Sequence, residues 1–489
     1  MTTSRTQVAI VGGGPAGLML SHLLHLAGIE TVVFDNRTVE TIENTHRAGI
    51  LEHDSVRLLV ESGVSDRVLT DGHEHRGIDL RFGGQSHRID FQGLVGASCW
   101  LYPQTDVFVD LHRARSRDGG DLRYGVSETA VREVETSPMV HYLDAEGRSH
   151  EVAADVVVGA DGSHSACRGL VSAGAAESRQ YAREYPFAWF GVLVEAPPSA
   201  PELIYTRSAG GFALISQRTE RIQRMYFQCD PTEDATTWSD DRIWEQLQNR
   251  LAGDDGFRLT EGPVIDRTVL GFRSFVQTPM RHGRLLLAGD AGHTVPPTGA
   301  KGLNLALADV RVLAEELERA LLGRNDDALD SYSGRALERV WRAQHFSYWM
   351  TSMLHQTPGA TDFDEQRQLA ELAGVVSSTR GSAYLAEGYT GWPSTRRRTT
   401  GRGTSRWISP RPTDARRSRS RSGSRILRPR RTSVRAACEP GAAGPGRPEN
   451  EASARLSPQW QMGSRPGTRR PHCGQVHGGA AAGLNAWIS

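Results

Sequence analysis

The stretch QVAIVGGGPAGLMLSHLLHLAGIETVVFD, residues 7–35, constrains this chain more than any other. Residues 8–11 form a short apolar run with strand character, and Gly12, Gly14 and Gly17 follow as G-x-G-x-x-G. Residues 18–27 read as a helix that stops at Gly28, and residues 31–34 as a second strand ending in Asp35. Glycines at this spacing let a backbone turn tightly and approach a pyrophosphate, which then rests on the helix N-terminus. Asp35, 18 residues beyond Gly17, is placed to accept a hydrogen bond from a ribose hydroxyl. The combination predicts a Rossmann-like α/β domain that holds one dinucleotide, FAD or NAD.

Two later stretches extend the pattern. ADVVVGADGSHSACR (154–168) is an apolar strand running into Asp161-Gly162. GRLLLAGDAGHTVPPTGAKGLNLALADVRVLAEEL (283–317) is another strand ending in Gly289-Asp290, followed by a turn and a long amphipathic helix. Lys301, within that turn, is the only lysine among 57 basic residues.

Charge divides the chain. Its 57 basic and 57 acidic residues cancel overall, yet 20 arginines and 4 acidic residues lie in 394–489, leaving an acidic body and a basic end. That end is rich in Arg, Ser, Pro and Gly without hydrophobic periodicity, which predicts disorder. Its composition suits a shifted reading frame in a GC-rich gene better than a nucleic-acid-binding tail. Five cysteines with no CxxC pair and no histidine cluster exclude a zinc site and a disulfide framework. With no signal-peptide core and no run near the ~20 apolar residues of a membrane span, the chain is expected to be cytoplasmic.

Between the DG and GD motifs, period-2 alternation puts Leu214, Ser216 and Arg218 on one strand face, and Arg224, Tyr226 and Gln228 on one face of the next. If buried, two arginines with Ser and Tyr hydroxyls make a carboxylate pocket; if not, this is a solvated sheet face.

The motif order, with ELIYTRSAGGFALISQR, VPPTGAKGLNLA and AEGYTGWP, resembles the single-component FAD-dependent aromatic hydroxylases that act on 4-hydroxybenzoate, over residues 6–393. The resemblance implies a glutathione-reductase-type FAD-binding domain (1–77, 104–181 and 272–345), an inserted mixed β-sheet substrate domain (78–103 and 182–271) and a C-terminal helical, dimerising segment (346–393). It implies a homodimer that converts 4-hydroxybenzoate to 3,4-dihydroxybenzoate with O2 and NADH or NADPH, by way of a flavin C4a-hydroperoxide.

By the same resemblance Ser216, Arg218 and Tyr226 hold the substrate carboxylate, Tyr205 contacts its phenol, and Tyr389 bonds Tyr205. The Pro297 carbonyl faces the phenolic oxygen, Arg224 steadies the moving flavin, and His75 is the solvent end of a proton relay. Gly12, Gly14, Gly17, Asp35, Arg47, Gln104, Asp161, Asp290, Thr298 and Asn304 contact FAD. His164 and Arg273, with Arg47, serve the nicotinamide nucleotide. The helix after Pro297 points its free N–H groups at the flavin N1/O2 edge, and Lys301 adds a compact positive charge there. Asn36, Thr41 and Thr45 stand where NADPH-preferring relatives carry arginines or an aromatic, which leans to NADH, while Arg37 and Arg47 keep NADPH open. Two other readings stay open: a hydroxylase of another phenolic acid, and a flavin-binding protein inactivated by the sequence after residue 393.

Overall fold

A computed structural model describes residues 2–45 and 49–392; Arg47 and the arginine-rich stretch 394–489 lie outside the described residues. The described residues belong to one compact unit built on two eight-stranded sheets. Among them, no helix is long and apolar enough to cross a membrane, and no cluster of His, Cys, Asp or Glu could hold a metal ion.

The first sheet has a parallel centre in the order Leu285–Leu287, Ser149–Gly159, Thr2–Val11, Thr31–Asp35, Asp121–Tyr124. The first strand starts earlier than its apolar run suggests, because residues 2–6 pair in parallel register with residues 150–154. Thr31–Asp35 lies on one side of Thr2–Val11 and Ser149–Gly159 on the other. Strand order therefore reverses at the carboxyl end of Thr2–Val11, where open α/β sheets bind their ligands. The helix Pro15–Ala27 leaves this point and ends at Gly28 in the left-handed region (φ 77°). It buries Leu18, Met19, Leu20, Leu23 and Leu24 because it is enclosed by the sheet and by helices Gln104–Arg117 and Gly302–Leu321.

The second sheet runs His293–Thr294, Val264–Thr278, Arg179–Glu195, Ile222–Cys229, Gly211–Gln217, Leu203–Ser208, Gly77–Phe82, Gln85–Asp90. Alternation along its strands feeds two separate cores. Phe190, Ile204, Ile215, Met225 and Phe227 pack with Trp238, Ile243, Trp244 and Leu247 of the segment ending in helix Asp240–Leu251. Trp189, Tyr205, Phe212, Leu214 and Tyr226, on the other face, join Phe346, Met350, Leu385 and Tyr389 from helices Asp327–Leu354 and Thr379–Thr390. On that second face Leu214 and Tyr226 are buried and Ser216, Arg218, Arg224 and Gln228 half-buried, so it is not a fully solvated face.

Gly17 shows how tight the first turn is. A Cβ there would overlap the Gly12 carbonyl oxygen, a backbone atom that cannot swing aside. Gly17→Ala is expected to cost about 1–3 kcal/mol by overpacking and to lower both the Tm and the FAD content of purified protein; an unchanged Tm and flavin-to-protein absorbance ratio would contradict this account.

Candidate active site

At the reversal of strand order, Gly12 (φ 113°) presses so closely on the Ala160 carbonyl that any side chain would overlap it. Gly14, the N-cap of Pro15–Ala27, opens onto free space and no side chain caps the helix. Uncapped N–H groups beside an open glycine suit a pyrophosphate, so the residues present fit a dinucleotide. Asp35 is largely committed within the protein. Its carboxylate accepts the Gly13 amide (2.9 Å), the Arg37 amide (2.9 Å) and the Arg37 guanidinium (2.9 Å and 3.0 Å). Arg37 is thereby tied to Asp35.

The DG and GD motifs converge. Asp161 accepts the Ser165 hydroxyl (2.6 Å) and the Cys167 amide (3.2 Å), bracing helix Ala166–Gly174. Arg168 donates to the carbonyls of Ser163 (2.6 Å), Asp290 and Ala291 (both 3.3 Å), joining the two motifs. Burial first, then the charge of nearby Arg273, lowers the Arg168 pKa. Both His164 and Arg273 are exposed. Buried Asp309 accepts the Gly289 amide (2.9 Å) and bonds His293 (2.6 Å), fixing the GD turn. Gln104 starts helix Gln104–Arg117, where the chain at Gly49 crosses so closely that a Cβ would overlap the Tyr102 carbonyl.

On the second sheet, register aligns Leu80, Tyr205, Leu214, Tyr226 and Gly191 in one row across five strands. Ser216 and Arg224 form the next pair, and the Ser216 hydroxyl donates to the Arg224 carbonyl (2.8 Å). The Arg224 guanidinium lies 5.3 Å from the Tyr226 ring centre, and its buried Nε has no hydrogen-bond partner. Burial and then the charge of Arg224 lower the Arg218 pKa. Two half-buried guanidiniums that repel one another are stabilised by an anion between them.

The Tyr205 and Tyr389 hydroxyls are 2.8 Å apart, both side chains being 1% exposed. Burial pushes both phenols above the ordinary tyrosine range. Tyr205 also reaches the Thr298 carbonyl (3.3 Å), whereas the Pro297 carbonyl accepts the Ala300 amide (2.9 Å).

Three further residues stand differently from expectation. His75 is 1% exposed, 3.3 Å from the Gln217 amide, and burial lowers its pKa to about 4, so it is no solvent terminus. Lys301 donates to Glu52 Oε1 (2.7 Å) and to the Tyr389 carbonyl (2.9 Å), so its charge is paired inside the protein. Asn304 accepts the Glu52 amide (2.9 Å) and donates to the carbonyls of Ile50 (2.8 Å) and Ala300 (2.9 Å), which commits its side chain to the fold. Thr298 is buried, its hydroxyl 2.9 Å from that of Thr351.

Sequence reasoning passed over Glu52, Arg168, Asp309, Arg339 and His355. His355 lies among Phe187, Phe212 and Trp189, accepts the Trp189 indole N–H (2.6 Å) and donates from Nδ1 to the Thr351 carbonyl (2.9 Å). No local motif marks it, since the rings that enclose it come from distant strands.

A dinucleotide-binding sheet joined to a second sheet whose face carries paired phenols and two half-buried arginines is what FAD-dependent aromatic hydroxylases require. A family model described as "FAD binding domain" matches residues 5–347, and the chain belongs to that FAD-binding hydroxylase family. Over 394 residues it is 41% identical to p-hydroxybenzoate hydroxylase of Acinetobacter baylyi, covering 80% of this chain and 97% of that protein. The crystal structure of p-nitrophenol 4-monooxygenase from Pseudomonas putida DLL-E4 shares the fold, with a TM-score of 0.67 at 18% identity over 81% of this chain and all (100%) of that one. Anhydrotetracycline hydroxylase from Streptomyces rimosus does too, with a TM-score of 0.61 at 22% identity over 79% of this chain and 76% of that one.

His355 sets a pH dependence. Burial lowers its folded pKa to about 3, below the ~6.5 of an unfolded histidine, so the unfolded chain binds the extra proton first. Stability is expected to fall as pH drops below ~6.5, by about 2 kcal/mol from this residue at about pH 5. Tm measured from pH 7.5 to pH 5 should drop less steeply in His355→Gln; equal slopes would remove His355 from the account.

Proposed function

We propose that this enzyme hydroxylates 4-hydroxybenzoate at the carbon ortho to its phenol, giving 3,4-dihydroxybenzoate, with FAD, O2 and NADH or NADPH. The observation that carries this reading is the buried Tyr205–Tyr389 hydroxyl pair on the same sheet face as two mutually repelling, half-buried arginines. A carboxylate at one end and a phenol at the other is the substrate such a pocket favours. The 41% identity to p-hydroxybenzoate hydroxylase supports the same substrate.

In this reading the sheet Thr2–Val11 to Asp121–Tyr124, with Gly12, Gly14, Gly17, Asp35, Gln104, Asp161, Asp290 and the 297–304 turn, would hold FAD. Exposed His164 and Arg273, with Arg168 between the motifs, take the nicotinamide nucleotide. Bound FAD, reduced by the nicotinamide, supplies the activated oxygen. The protein's own tasks are to seat the ring, exclude water and move one proton. Arg218, Ser216 and Tyr226 seat the carboxylate, and Arg224 gives the flavin a cation to move against. The Tyr205 hydroxyl takes up the phenol proton as it passes its own to Tyr389, which in turn releases its own toward solvent, so both tyrosines stay neutral and only the phenol loses a proton. Losing that proton makes the ring carbon a stronger nucleophile. The Pro297 and Thr298 carbonyls hold the phenolic end, and His75 is a buried station of the path.

The second, mixed sheet serves as the substrate half. Exposed Trp341, Tyr348 and Tyr384 on the outer helices favour a homodimer, and free Cys99, Cys167 and Cys229 suit a reducing cytoplasm.

The direct test is NADH and NADPH oxidation with and without 4-hydroxybenzoate, with chromatography for 3,4-dihydroxybenzoate. Stimulated oxidation with near-stoichiometric product is expected; product only from another aromatic acid would sink the substrate assignment. Tyr205→Phe should cut product formation about 100-fold, within the range for general acid–base groups, while leaving aromatic-acid binding near wild type. Arg218→Met should instead raise KM by one to two orders of magnitude, the loss of a charged hydrogen bond of about 1.5–3 kcal/mol.

A further inference from the structure

The last helix, Thr379–Thr390, carries Tyr389 in its final turn and ends at Gly391 (φ 94°). Carbonyls of a final turn lack helical partners and form the negative end of the helix dipole. Here one is taken by a buried cation, Lys301, whose Nζ donates to the Tyr389 carbonyl (2.9 Å), and just beyond the helix the half-buried Arg339 donates from Nη1 to the Trp392 carbonyl (2.8 Å). Both cations share one carboxylate, Glu52, whose Oε1 accepts Lys301 and whose Oε2 accepts Arg339, each at 2.7 Å. Two positive charges face one negative charge, and the helix end supplies the remaining negative potential.

Sterics reinforce the arrangement. A side chain at Gly391 would overlap Glu52 Oε2. The Lys301 ammonium lies 5.0, 5.8 and 5.7 Å from the ring centres of Phe346, Tyr389 and Trp392, within cation–π range. Glu52 is anchored in turn, since its amide donates to Asn304 of helix Gly302–Leu321.

We propose that Glu52, Lys301 and Arg339 form a buried clamp on the end of the last helix, and that this clamp positions the Tyr389 hydroxyl against Tyr205. The three act as positioning residues, through the backbone of Tyr389 and Trp392. The inference rests on the reading of Tyr389 as a proton carrier, but the clamp itself has a readout that needs no substrate.

The test compares wild type, Arg339→Met, Arg339→Lys and Glu52→Gln, all loaded with FAD. In Arg339→Met and Glu52→Gln, backbone amides of residues 385–392 should exchange with deuterium about tenfold faster. Product per NADH oxidised should fall severalfold while KM for 4-hydroxybenzoate stays within about twofold, and Arg339→Lys should restore both toward wild type. Unchanged exchange in Arg339→Met overturns the clamp; faster exchange with full coupling overturns its service to Tyr389. Should Arg339→Met fail to take up FAD, Glu52→Gln decides by the same two readouts. If wild type makes no product from 4-hydroxybenzoate, the functional reading fails before any variant is compared, and the exchange rates still decide the clamp.

Discussion

The turn at 297–300 is where the antiparallel sheet, the long helix Asp327–Leu354 and the helix Gly302–Leu321 meet, and it has little freedom to sit elsewhere. Its Thr298 carbonyl meets Tyr205, its Thr298 hydroxyl meets Thr351, and a side chain at Gly299 would come 2.6 Å from the Ser347 hydroxyl. Ala300 then adopts φ 53°, unusual for a residue with a side chain, and hands the chain directly to Lys301 and the helix. Strain of this kind persists only where the surroundings over-determine it. Here the packing from three sides does so, and the two tyrosines are positioned against the result.

Behind the row Leu80, Tyr205, Leu214, Tyr226 and Gly191 stands an aromatic wall. Trp189 and Phe212 stack at 5.1 Å, Phe212 and His355 at 4.3 Å, and Phe187 and His355 at 4.6 Å. The single polar ring in this wall is satisfied at both nitrogens, one by the Trp189 indole and one by a helix carbonyl. A buried histidine held this way stays neutral and rigid. The wall therefore supports Tyr226, whose ring lies 4.9 Å from Trp189, without adding charge beside Arg218 and Arg224.

The lone lysine acquires a physical reason. Its ammonium is enclosed by a carboxylate oxygen, a backbone carbonyl and three rings. An ammonium directs three donors from one point, whereas a guanidinium is planar and forked and needs more lateral room. The arginine that shares Glu52, Arg339, approaches from the less buried side. Composition marked Lys301 as unusual; its partner Glu52 carried no such mark, being one of many acidic residues.

Local order along the chain fixed the nucleotide half. Strand, glycines, helix and Asp35 are contiguous, and the steric demand at Gly12 and Gly17 is nearly local, so periodicity and spacing sufficed. The alternation that paired Ser216 with Arg218, and Arg224 with Tyr226, likewise followed from a period of two. What no spacing could supply was which face of that hairpin is buried, because the helices that cover it lie more than 100 residues further on. Nor could it supply the Tyr205–Tyr389 contact across 184 residues, the Tyr205–Thr298 contact, the burial of His75 or the Glu52–Lys301–Arg339 cluster. Such contacts arise when separate elements pack, and their geometry depends on side-chain volumes and desolvated charges that meet only in the folded chain.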